Sequence, residues 1–190
     1  MEIATYILFA LGCLGAADIA LFHSVAHGIR SHRDSVMELI THSLRGPTYA
    51  ILFVLIPNFA LQGAYAWFLI ALFVFDVAIS IWDFSVEQQS RRLLGGLPGG
   101  EYLLHIFMAM LFGALVTSVA YGLGDELRAS TRLVYRPAQV PWLLRGVMLV
   151  MSVLVFISGA QDARAALRLW RQRRRSGRAG DVAISHERAE

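Results

Sequence analysis

Histidine and carboxylate recur in this chain at a spacing of four. His23 pairs with His27, Glu38 with His42, Asp83 with Glu87, and Glu101 with His105. Residues four apart on a helix lie about 40° apart around the axis and one turn apart along it, so each pair projects two groups from one face. Imidazole and carboxylate together suit divalent Fe, Mn or Zn better than Ca or Cu(I). They are also the side chains that most often move protons in catalysis. The expected chemistry is that of a metal centre, mononuclear or dinuclear, with Fe or Zn as the ion. His23, His27, His42, Asp83 and His105 are its candidate ligands. Glu38, Glu87 and Glu101 are candidates for a bridging or general-base role.

The elements that carry these groups are membrane-spanning helices. Of 190 residues, 56% are hydrophobic and 16% charged, and the mean hydropathy of +0.54 is too high for a soluble domain of this length. Five segments reach the roughly 20 residues that a hydrocarbon core requires. They run over 3–29, 35–57, 63–89, 100–123 and 141–163. The fold class expected is an all-α integral membrane protein, with four helices in a bundle around a polar cluster at the cytoplasmic end. The fifth segment has no ligand pair and is expected on the outside of that bundle. Gly46-Pro47 is expected to loosen or kink the second span.

Arginine sets the expected orientation. All 17 basic residues are Arg, and seven of them fall between 164 and 178. Arg30, Arg33, Arg91 and Arg92 mark the two loops on the same side. The N-terminus is therefore expected outside and the C-terminus in the cytoplasm, with a bacterial cytoplasmic membrane as the setting. Residues 1–163 form the transmembrane domain. Residues 164–190 form a basic cytoplasmic tail, helical at first and then disordered, with anionic lipid and not nucleic acid as its partner. Cys13, in an apolar run, is the single cysteine, so no internal disulfide forms. No charged segment precedes the first span, so a cleaved leader is not expected.

Alternating topology converts the spacing into a place. Spans one and three end on the cytoplasmic side, and spans two and four begin there. His27, Glu38, Glu87 and Glu101 then lie near the helix ends, and His23, His42, Asp83 and His105 one turn deeper. Two layers result, each with one residue from each helix. Asp18 falls on the opposite side of an ideal α-helix from His27 and has no expected place in the cluster. Deeper still, Arg45 continues the Glu38–His42 stripe, and Asp76 stands seven before Asp83. Neither can stay charged alone in a membrane, so Arg45 is expected to pair with Asp76 or Asp83, as a structural ion pair or a substrate contact.

Four-helix bundles host dinuclear carboxylate sites, although soluble ones use Glu-x-x-His at a spacing of three. The likeness is one of principle. The leading functional expectation is a membrane metalloenzyme, an oxidoreductase or hydrolase, acting on a lipid-soluble small molecule near the cytoplasmic face. The alternatives are a non-enzymatic subunit, assembly factor or transporter with a structural polar cluster, and a cytochrome-like subunit with haem between His23 and His105. Each alternative has its own signature. A structural network tolerates loss of single histidines, and a haem needs an apolar slot.

Overall fold

A computed structural model describes residues 1–92 and 95–187, without the side chains of Arg91 and of 175–187. Of the expected tail, residues 188–190 lie outside the described residues. Helix α1, Glu2–Asp18, runs directly into a π-helical stretch, Ile19–Ala26. Two short 3₁₀ turns, Ile29–Ser31 and Arg33–Ser35, lead to α2, Val36–Asn58. Strand β1, Phe59–Gln62, precedes α3, Ala64–Arg91. Helix α4, Gly99–Leu123, is followed by strand β2, Arg132–Tyr135, and by α5, Trp142–Glu187.

Five helices are long and apolar enough to cross a membrane. Their outward faces carry large apolar side chains, among them Val74, Phe107 and Leu154, each more than half exposed. Water would not tolerate so much apolar surface on a monomer, whereas lipid does. The class is all-α, with one addition that the sequence did not suggest. Strands β1 and β2 form a two-stranded antiparallel sheet, Phe59 opposite Tyr135 and Gln62 opposite Arg132. Gly63 makes the turn out of β1 with a φ of 56°, and a Cβ there would fall 2.7 Å from the Thr131 hydroxyl, so only glycine fits.

Helix α5 is not peripheral, contrary to expectation. It packs along α2, and the two backbones meet at a pair of glycines. A Cβ on Gly46 would lie 2.9 Å from Gly159 Cα, and one on Gly159 would lie 3.0 Å from Gly46 Cα. Lipid removes the hydrophobic drive for helix association, so close packing of small residues must supply it. The Ser152 hydroxyl adds a hydrogen bond across the same interface, to the Ala50 carbonyl at 2.8 Å. The expected loosening at Pro47 is also absent in secondary-structure terms, because α2 runs unbroken through it. Pro47 cannot donate to the Ser43 carbonyl. That carbonyl lies beside Gly159, so α5 covers the gap.

Two apolar cores result. The larger joins Leu8, Leu52, Ile56, Leu69, Leu115 and Met148 in the half nearer the sheet. The smaller packs Ile29, Val36 and Leu39 against Ala165, Ala166 and Leu169. Helix α5 thus passes residue 163 without a break, and its first basic turns are anchored on the protein. Between the two cores, α1 to α4 gather their ionisable residues.

Candidate metal centre

The π-helical stretch decides how α1 contributes. On an ideal α-helix, Asp18 and His23 would lie about 140° apart. A π-helix closes its hydrogen bonds five residues on, which widens the turn and brings residues five apart towards one face. Asp18 therefore joins the cluster, which its helical angle from His27 did not require. Asp18 Oδ2 lies 3.2 Å from His23 Nε2 and 3.6 Å from His105 Nε2.

Helix α4 supplies the other half. Glu101 is fully buried in the first turn of α4, with one carboxylate oxygen 3.5 Å from His23 Nε2 and the other 3.4 Å from His27 Nε2. His105, one turn on, faces Asp18 with Nε2 and Glu87 of α3 with Nδ1, the latter at 3.4 Å. Asp18, His23, Glu101 and His105 each offer one donor atom, and these four atoms lie within 4.8 Å of one another. A second set adjoins the first. His23, Glu38 and His42 meet the same distance limit, and the His23 and His42 rings stand 4.5 Å apart.

All eight candidate ligand and base residues named from the sequence thus converge at one end of the helices. The two flat layers do not survive, because the contacts cross them. His23 meets Glu101, and His105 meets Glu87.

The surrounding polar groups fix the cluster in place. His42 Nε2 lies 3.5 Å from Asp83 Oδ2. Asp83 also accepts a hydrogen bond from the Thr41 hydroxyl. Glu38 accepts one from Ser90, whose hydroxyl lies 2.9 Å from that of Ser35. Deeper, Arg45 Nε lies 3.3 Å from Asp76 and its Nη1 3.7 Å from Asp83. The Tyr49 hydroxyl donates to the second Asp76 oxygen at 3.2 Å. Thr41, Tyr49, Ser35 and Ser90 were not singled out from the sequence. A helical stripe through Glu38, His42 and Arg45 reaches Ser35 and Tyr49, and one through Asp83 and Glu87 reaches Ser90.

The lengths of the contacts carry the chemistry. A charge-assisted N–H···O⁻ hydrogen bond is about 2.7–2.9 Å long. Arg30 and Asp162, a few residues away, reach 2.6 Å. Six histidine–carboxylate contacts of the cluster among the described residues fall between 3.2 and 3.6 Å. Ligands about 2.1 Å from one tetrahedral ion stand about 3.4 Å apart. Asp18 Oδ1 and both ring nitrogens of His23 are buried with no hydrogen-bond partner among the described residues. Such atoms are costly unless something else binds them. The donor set could hold a metal ion.

A cavity of about 620 Å³ adjoins the cluster. Asp18, His42, Asp83 and His105 line its polar end, and Leu11, Phe53, Phe112 and Met151 line the rest. The class defined by fold and site is an all-α protein with five candidate membrane spans and a buried histidine–carboxylate cluster. Comparison of the chain with protein-family models, curated proteins and solved structures gives no match.

Proposed function

We propose that this protein is a membrane-embedded metalloenzyme acting on a lipid-soluble substrate at the arginine-rich, cytoplasmic face. The observation that carries the reading is the Asp18–His23–Glu101–His105 group. Its nitrogen–oxygen distances of 3.2, 3.5 and 3.6 Å suit neighbours in one coordination shell better than hydrogen-bonded partners. Glu38 and His42 extend the donor set towards a second ion, Fe or Zn. Bound there, the metal supplies Lewis-acid chemistry or, as iron, redox chemistry.

The chain's own residues do the rest. Glu87 on His105 Nδ1 fixes the ring so that Nε2 faces the shared centre. Asp83 performs the same service for His42, and is itself held by Thr41 and Arg45. Partners of this kind orient metal-binding imidazoles and raise their basicity. Glu101 and Glu38 are the candidates to take a proton from substrate or water. The Arg45–Asp76–Tyr49 network holds its own charges and borders the cavity as a structural support. A haem between His23 and His105 is disfavoured, because both Nε2 atoms face the Asp18 carboxylate where a flat apolar slot would be needed.

Elemental analysis by mass spectrometry on protein purified from its host membrane tests the reading. Expected is Fe or Zn in stoichiometric amount, lost in Asp18→Ala and in His105→Ala. A folded protein free of transition metal would overturn it in favour of a structural polar network.

A further inference from the structure

The cavity beside the cluster exists because α1 omits side chains there. Gly12, Gly15 and Ala16, at positions i, i+3 and i+4 of one α1 face, all line it, and Ala20 of the π-helical stretch continues the lining. A Cβ on Gly15 would meet no atom within 4 Å, so that residue borders open space. Gly12 sits where a Cβ would strike the tips of Met151 and Phe53 at 2.5 Å. Those two side chains therefore lean into the room that Gly12 leaves, and they close the cavity at that level.

Its shape is long and its ends differ. From Asp18 to Leu11 the lining covers seven residues, about 10 Å, and from Asp162 to Met151 eleven residues, about 16 Å. Donor groups of the cluster stand at one end, and the other end is apolar. The lining includes Ile81 and Leu154, which are 66% and 59% exposed on membrane-spanning helices. The cavity is thus within reach of the bilayer. Arg45 is the one arginine among the described lining residues and lies against Asp76 and Asp83, whereas Asp18, Asp83 and Asp162 all line the cavity. Among the described lining residues an anionic headgroup would find no uncommitted guanidinium.

We infer that the cavity is a slot for one long, uncharged hydrocarbon chain, admitted from the bilayer, with one end presented to Asp18, His42 and His105. The inference rests on the proposed metal centre for its reactive end, while the binding itself is separately testable. Apolar walls recognise the chain, and the excess of carboxylates at the polar end repels acids. A hydrocarbon, alcohol or quinol fits, and a fatty acid or phospholipid headgroup does not.

The test is photolabelling in nanodiscs with a long-chain alcohol that carries a terminal diazirine, with metal content measured on the same samples. Expected are adducts on the segments around Leu11, Phe53, Phe112 and Met151. They should disappear in Gly15→Phe, which fills the slot from α1, and in Ala109→Leu, which fills it from α4, with metal retained in both. The matching carboxylate probe should label these segments far less. Adducts confined to outward-facing residues, or unchanged by both substitutions, would overturn the slot, as would its failure in a metal-loaded protein. Equal labelling by the carboxylate probe would overturn the uncharged class. Slot labelling in a metal-free protein would support the slot and count against the metal centre alone.

Discussion

The two ends of this helical bundle treat their polar residues in opposite ways. At the sheet end, Gln62 donates to Glu126 at 2.6 Å, Arg136 reaches the other Glu126 oxygen at 3.1 Å, and the Gly63 amide takes the Glu126 carbonyl at 2.8 Å. Every one of these contacts has ordinary hydrogen-bond length, and they tie β1 to the segment that leads into β2. At the other end nine ionisable residues are more deeply buried, yet their histidine–carboxylate contacts are longer. Burial raises the cost of poor pairing. Hydroxyl contacts at the buried end are short, from Thr41 to Asp83 and from Ser90 to Glu38, so the length is confined to the contacts between the candidate ligands themselves. The difference marks the sheet end as a clasp and fits our proposal that the buried end holds a metal ion.

Substitutions can break this contrast, beginning with the largest effect. His23 belongs to both donor groups, so His23→Ala should lower metal affinity at least about a hundredfold, more than loss of an orienting partner alone. Competition with a chelator measures it. If affinity is unchanged, the shared role of His23 is wrong. Asp76→Ala strips Arg45 of its nearer partner and Tyr49 of its acceptor. Thermal unfolding in detergent should register a loss of about 3 kcal/mol with metal content retained; coupled loss of metal would place Asp76 inside the site.

Gly159→Leu forces α5 away from Gly46 and should cost about 1–3 kcal/mol in the same assay. An unperturbed melting point would mean that the α2–α5 contact is not close. Thr41→Val removes one hydrogen bond from Asp83, which steadies His42. Affinity should fall about tenfold while stability hardly moves. Smallest is Gln62→Ala at the clasp, worth about 1 kcal/mol. It should leave metal binding untouched, and any change in metal content would dissolve the distinction between the two ends.

Much of this arrangement was legible in the residues. Long apolar runs gave five helices, because length and hydropathy dominate in a membrane; their ends lie close to those observed except at the end of α5, which runs past 163 to Glu187. Glu38–His42 and Glu101–His105 pointed to the cluster because a spacing of four survives in any α-helix. Asp18 was illegible for the opposite reason. Its place depends on the π-helical stretch Ile19–Ala26, and helical-wheel geometry assumes that no such stretch exists. Helix α5 was set outside the bundle because it lacks ligand pairs. Its true partner is announced only by Gly159, a residue whose small size gains meaning once Gly46 is seen opposite it. Strands β1 and β2, four residues each, are too short for alternation to stand out from a polar loop.

X-ray absorption at the metal edge, on protein loaded with Fe or Zn in a bilayer mimetic, tests the central claim most directly. The expected spectrum has a first shell of nitrogen and oxygen at about 2.0–2.2 Å, with the outer-shell scattering of at least two imidazoles. The spectrum should vanish with the bound metal in His105→Ala. A shell of oxygen alone, unaltered by that substitution, would contradict the assignment of Asp18, His23, Glu101 and His105 as a metal centre.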